Sequence, residues 1–353
     1  MSETYRLLGG PGSPFSLKLR AVLRYRHLPH RWIVPRGFIS TEGELKQAGK
    51  GMIPVLQLPD GTYVADSTPV IHMLEARHPG QRSVIPPDPG QAFLAQLIED
   101  CADEWLTVSM FDYRWNLPED VEFCARRQIS GWTGAMPRAD FVAMVDRFIE
   151  RQTANRARAC GPDSNRPIWR DSYWEVLDAL ELLFDQSNYL FGSRPSIADF
   201  GLYGPLCQFA IDPTPSREMK YAAPRVFQWT QTLEDASGVD GEWADPAAPV
   251  PAGLATLLRI FGATALPFMD AIDRGLEAGE SQLAFDVHGR TFRHEVKPRR
   301  GWLYRQQCIR LLRKAWQELD ATSRGRLEPL LHKCDCLRFL ERDPGEVVPL
   351  APA

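Results

Sequence analysis

The segment from Gly51 to Pro69 constrains the fold more than any other. Val55 to Leu58 is a short β-prone run, Asp60-Gly61 is a hairpin turn signal, and Thr62 to Ala65 returns as a second strand. Asp66-Ser67 stands where a helix begins, with Pro69 in its first turn, where an N–H has no helical partner to lose. Pro54 cannot donate to a ladder, so it opens the strand or lies on an edge. Two readings follow. In one, the segment is an ordinary edge hairpin and a capped helix. In the other, a cis bond before Pro54 turns the Ile53 backbone outward, and the helix start at Asp66 and Ser67 offers N–H groups and a hydroxyl to a carboxylate.

What precedes the segment fits one architecture. Tyr5 to Leu8 is a strand, and Ser13 to Ser16 starts a helix carrying Leu19, Val22 and Leu23. Arg31 to Val34 is a second strand, and Glu42 to Ala48 is a short helix. With the hairpin and a helix from Ser67 to about Arg77, the order is β-α-β-α-β-β-α. This is the order of an α/β thioredoxin-like domain, assigned to residues 1–78.

At 353 residues the chain exceeds one core, so further domains are expected. Residues 79–90, rich in proline, read as a linker. Residues 91–238 read as an all-α domain. One long helix carries Phe93, Leu97, Cys101 and Trp105 and ends near Trp115. Others span Phe141 to Arg158 and Asp171 to Phe184, and a capping box at Ser196–Asp199 opens an apolar helix through Phe209.

Residues 239–353 form an additional α+β extension. It comprises a helix from Leu254 to Leu276 that Pro267 kinks or splits, and a hairpin around His288-Gly289-Arg290. Two more helices follow, Trp302 to Leu319 and Arg324 to Leu340, the latter including Cys334 and Cys336. The face with Arg305, Arg310, Arg313 and Lys314 reads as solvated rather than as an anion site. The extension is expected to pack on the helical domain and narrow its pocket.

Charge and cysteine usage exclude several classes. The net charge is −4 with no basic run, so neither nucleic acid nor a membrane surface is an expected partner. Seven scattered cysteines make no C-x-x-C pair, which argues against a disulfide framework or zinc and for a reducing compartment. His288 and His294 have no metal-ligand spacing, so no metal is expected. No signal-peptide pattern or membrane-length apolar run is read, and a cytoplasmic location follows by default.

Four pieces, in order and spacing, resemble the glutathione transferase superfamily over roughly residues 4 to 235. Ser13-Pro14-Phe15 looks like the serine-type catalytic motif, and Ile53-Pro54-Val55-Leu56 like the cis-proline strand. Asp66-Ser67 looks like the acidic-Ser pair, and Tyr189 to Gly192 with Ser196 to Asp199 like the late capping box. Pro224 to Trp229 is similar to the helix that usually follows. Ala48-Gly49 and Met52 stand where many members have Asn-Pro and Lys, leaving Lys50 to meet the glycine end of glutathione.

The resemblance implies a thioredoxin-like domain, an all-α domain, glutathione as co-substrate and a possible homodimer. By it, Ser13 would donate to the glutathione sulfur, with Ser16 as the competing hydroxyl. Ile53 and Pro54 would orient the cysteinyl part, Asp66 would pair with the γ-glutamyl ammonium, and Ser67 with its carboxylate. A small hydrophobic electrophile would sit against Met110, Tyr113, Arg114 and Trp115, although each also fits an aromatic core at helical spacing. Arg114 would pair with an anionic substrate, or with Asp103 or Asp112. A serine at position 13 cannot form the mixed disulfide of cysteine-type members, which disfavours disulfide exchange. Transfer of glutathione to an electrophile is the expected function. A non-catalytic binding or interaction protein is the alternative, and a glutathione-dependent isomerase or peroxidase a third reading.

Overall fold

The computed structural model describes residues 4–35, 43–49, 51–80 and 82–348. Its first part contains β1 (Tyr5–Leu8), α1 (Pro14–Tyr25), β2 (His30–Ile33), α2 (Glu44–Gln47), β3 (Val55–Gln57), β4 (Tyr63–Ala65) and α3 (Ser67–Arg77). The sheet order is β2-β1-β3-β4. β1 and β2 run parallel with Leu7 beside Trp32, whereas β3 is antiparallel to both β1 and β4. A β-α-β crossover gives the parallel pair and the Asp60-Gly61 turn gives the antiparallel one. The Ile53–Pro54 bond is cis.

The helical part runs α4 (Pro89–Cys101), a π-turn (Ala102–Leu106), α5 (Thr107–Arg114), α6 (Pro118–Trp132), α7 (Arg138–Cys160), α8 (Arg166–Leu183), α9 (Ile197–Phe209), α10 (Pro213–Ala222) and α11 (Pro224–Glu234). Pro14, Pro89, Pro118, Pro213 and Pro224 each open a helix, where the fixed φ is already helical. The Ser196–Asp199 capping box is formed, and the Asp199 carboxylate also accepts the Leu190 N–H at 3.0 Å. Helix α6 was not singled out in the sequence, because its apolar stripe is short and interrupted by charges.

The extension contains α12 (Ala252–Ala263), α13 (Ala265–Ala278), β5 (Gln282–Val287), β6 (Arg290–Glu295), α14 (Arg300–Glu318), α15 (Ala321–Lys333) and α16 (Leu337–Leu340). The split expected from Pro267 falls at Thr264, because the proline ring excludes a helical carbonyl four residues earlier, at Ala263. By length and composition alone, Ala252–Ala278 is apolar enough to cross a membrane, contrary to the sequence reading. In the fold it is two helices, and 67% of its most apolar stretch is buried. Its Gly253 lies against the α8 backbone at Ala179 and Leu183, where a Cβ would come within 2.3 Å of the Leu183 nitrogen.

Two further readings are corrected. Cys334 and Cys336 are not interior helix residues: they flank the break between α15 and α16, where Asp335 takes φ +58°. Nor is the basic face of α14 solvated throughout. Arg313 and Arg310 are buried, paired with Asp270, Asp273 and Glu277, and Arg305 faces Glu104. Only Lys314 of the four stays on the surface, with half its side chain accessible. The acids responsible come from α4–α5 and α13, so the α14 sequence alone could not show them.

Extension and helical part share a core. Trp105, fully buried, has its ring centroid 4.3 Å from Trp169, 5.3 Å from Phe268 and 5.4 Å from Phe292. The aromatic face of the hairpin thus closes on the middle of the long helix.

Candidate functional site

A cavity of about 250 Å³ lies at the start of α3. The first domain contributes Phe15, Met52, Ile53, Pro54, Asp66 and Ser67, and the long helix contributes Asp103 and Glu104. Helix α14 adds Arg300, Gly301, Tyr304 and Arg305. The two adjacent acids belong to the π-turn, a wide turn that often marks functional positions.

Asp66 is held in an unusual way. It precedes α3 at φ +81°, a region that non-glycine residues rarely adopt, yet its side chain makes no capping bond. Its Oδ1 instead accepts the Tyr304 hydroxyl at 3.2 Å. Burial pushes the Asp66 carboxyl above its ordinary value, partly offset by Lys18 and Tyr304. Ser67, the first residue of α3, is buried beside it.

The cavity floor is ionic. Lys18 is wholly buried and donates to Asp103 at 2.7 Å, to Thr68 at 3.2 Å and to Glu99. Burial opposes both ions, but the neighbouring acids raise the lysine, and Lys18 lowers Glu99. Asp103 goes the other way, well above the usual range, because burial and Glu99 outweigh Lys18. Lys18 thus pairs with both Glu99 and Asp103, and of the two acids Asp103 holds its proton more tightly. Glu104 is raised by burial despite Arg305, whose Nε lies 3.0 Å away.

Two family models match the sequence: the glutathione S-transferase N-terminal domain over residues 12–77 and the glutathione S-transferase C-terminal domain over residues 138–232. The chain belongs to the glutathione S-transferase superfamily. It pairs the α/β N-terminal domain of that superfamily with its helical C-terminal domain, and adds a region with a small sheet. Similar solved structures include the β-etherase LigF from Sphingobium sp. strain SYK-6, at 19% identity and TM-score 0.46, covering 72% of this chain and 98% of that one. Another is a glutathione S-transferase from Methylobacterium radiotolerans in complex with glutathione sulfonate, at 19% identity and TM-score 0.42, covering 70% and 100%. No curated protein matches.

Of the residues that the superfamily motifs single out, Ile53, Pro54, Asp66 and Ser67 meet at the cavity. Lys50 lies outside the described residues. Ser13 is the N-cap of α1, its Oγ accepting the Ser16 N–H at 3.2 Å, and it does not line the cavity; Phe15 does. The loop before Ser13 still touches the site, since a Cβ on Gly10 would stand 3.1 Å from Ile53 Cδ1. Ser16, the competing hydroxyl, is fully buried and packed beneath Gly9, away from any opening.

The residues expected at an electrophile wall lie away from this cavity. Met110, Tyr113, Arg114 and Trp115 are all buried, and none lines the cavity. Tyr113 donates to Glu218 at 3.1 Å, and Trp115 packs its ring 5.5 Å from Phe148. Arg114 pairs with neither Asp103 nor Asp112. It donates to Asp212 at 2.7 Å, Gln208 at 2.7 Å and the Gly12 carbonyl at 2.8 Å, leaving no charge for a substrate. The long helix turns these residues toward α6, α7, α8 and α9, while its π-turn reaches the cavity about two to three turns earlier.

Sequence reasoning missed Phe15, Met52, Asp103, Glu104 and the α14 residues as cavity walls. One signal was available: Glu99, Asp100, Asp103 and Glu104 crowd an otherwise apolar helix, which calls for a buried cation. For Tyr304 nothing in local spacing points 238 residues back to Asp66.

Proposed function

We propose that the chain is a glutathione transferase-like enzyme that activates the glutathione thiol for attack on a small hydrophobic electrophile. The observation carrying this reading is the meeting of Ile53, Pro54, Asp66 and Ser67 at one cavity, with Asp66 held out of its capping role. In this reading the Asp66 carboxylate meets the γ-glutamyl ammonium, and the Ser67 hydroxyl at the α3 N-terminus meets its carboxylate.

A free thiol of pKa about 8.5 is only roughly 3% ionised at pH 7. Lowering it by ~2 units requires about 2.7 kcal/mol of thiolate stabilisation. A hydrogen bond to the charged sulfur contributes about 1.5–3 kcal/mol, and a helix N-terminus about 0.3–1. Capping leaves Ser13 free for this role, since an Oγ that accepts from Ser16 still has its own hydrogen to donate.

Calorimetric titration of the full chain with glutathione tests the binding half: micromolar to millimolar binding that Asp66→Ala weakens is expected, and equal binding by the variant refutes it. The catalytic half is tested by conjugation to an aryl halide. One observation favours the second reading, a binding protein that lost catalysis: Ser13 does not line the cavity. Glutathione binding without Ser13-dependent turnover selects that reading.

A further inference from the structure

The superfamily motifs account for only one side of the cavity. The other side is α14, whose Arg300, Gly301, Tyr304 and Arg305 fall at helical spacing on one face. Among the charged groups at the cavity, most are already matched: Asp103 by Lys18, Glu104 by Arg305, and Asp66 by the Tyr304 hydroxyl. Arg300 is different. It is exposed at the cavity and makes no hydrogen bond or ion pair among the described residues. The cavity therefore offers a carboxylate on one wall and, on the other, a guanidinium that attracts it without a direct hydrogen bond or ion pair. That pattern complements a group carrying both an ammonium and a carboxylate; a simple anion or cation leaves one wall unmatched.

We propose that the extension is part of the glutathione site: Arg300 pairs with the α-carboxylate of the γ-glutamyl end, beside Ser67, and Tyr304 holds the Asp66 carboxylate where it meets the ammonium. Arg300 is a binding residue and Tyr304 a positioning residue, acting through Asp66. The proposal rests on the reading of this cavity as the glutathione site, and gives the extension a role in recognition as well as in packing. A guanidinium presents a planar fork suited to a carboxylate, so Lys at position 300 would replace it only in part.

The test is calorimetric titration of the full chain with glutathione and two analogues. One, γ-aminobutyryl-Cys-Gly, lacks the α-carboxylate; the other, glutaryl-Cys-Gly, lacks the amine. The parent should prefer glutathione over both. Arg300→Ala should weaken glutathione about 10-fold or more and leave γ-aminobutyryl-Cys-Gly unchanged, with Arg300→Lys recovering part of the loss. Tyr304→Phe should erode discrimination against glutaryl-Cys-Gly alone. If the parent binds glutathione and Arg300→Ala binds all three ligands as the parent does, the proposal is overturned while the glutathione reading stands. If the parent binds none of the three, both fall. Arg300 loses no hydrogen bond or ion pair on truncation, only its longer-range attraction to Asp66, so its variant should fold.

Discussion

Lys18 Nζ lies 2.7 Å from Asp103 Oδ2, joining the first helix of the N-terminal domain to the π-turn of the helical domain beneath the cavity. The lysine is fully sequestered from solvent, and Glu99 completes the cluster. Breaking such a pair is costly because the surviving carboxylates stay buried without a counter-charge. Lys18→Met should destabilise the chain by about 3–5 kcal/mol, read as a lower urea midpoint. The double variant Lys18→Met, Glu99→Gln should recover part of that loss. A single variant as stable as the parent would show that the cluster contributes no net stability.

Ser13 carries two separable expectations. As the N-cap of α1 it should contribute about 0.5–2 kcal/mol, which Ser13→Ala removes. As a thiolate donor it should hold the glutathione thiol pKa below its free value. Asp at position 13 keeps the cap and cannot donate, so Ser13→Asp should retain stability and lose the thiol shift. Thiolate absorbance against pH, with bound glutathione, separates the two. An unshifted thiol in the parent ends the catalytic assignment.

The pH dependence of binding follows from Asp66. Burial holds its carboxyl above the ordinary 3.8, so it takes up a proton at a higher pH than an exposed aspartate. Only the ionised form attracts an ammonium. Glutathione affinity should therefore be full above the raised pKa and weaken as pH falls through it, starting above 3.8. Titrations from pH 7 to 4 should show this fall in the parent and a flatter, weaker profile in Asp66→Asn. Parallel profiles would remove Asp66 from the ammonium contact.

Within the extension, the side chain of Arg313 is 1% exposed and donates to Asp270 at 2.7 Å and to Asp273. It also donates to the Phe339 carbonyl at 3.0 Å, tying α16 to α14. Arg313→Ala should destabilise by about 3–5 kcal/mol, whereas Lys314→Ala, on the exposed face of the same helix, should change stability by less than about 0.5. Urea unfolding followed by tryptophan fluorescence distinguishes them.

The contrast between Arg313 and Lys314 shows where sequence reading stops. Both sit on one basic helix, and its own pattern sorts them alike; only α13, packed alongside, separates a buried ion from a solvated one. The residues expected as a wall, Met110 to Trp115, lie away from the cavity for a related reason. A stripe of aromatics on a helix says that one face is covered, but not by what. The cavity instead took the π-turn residues, Asp103 and Glu104.

Local signals decided the elements themselves. The Asp60-Gly61 turn, the opening prolines and the Ser196–Asp199 box act through neighbouring backbone groups, so a few residues suffice to specify them. The β-α-β-α-β-β-α order then follows from the succession of those elements, and with it the placing of Ile53, Pro54, Asp66 and Ser67 near one another. Tertiary structure alone decided which charges are buried, which helix faces the cavity, and that Tyr304 of α14 reaches Asp66. Those outcomes depend on desolvation and on contacts across hundreds of residues, and neither leaves a periodic trace along the chain.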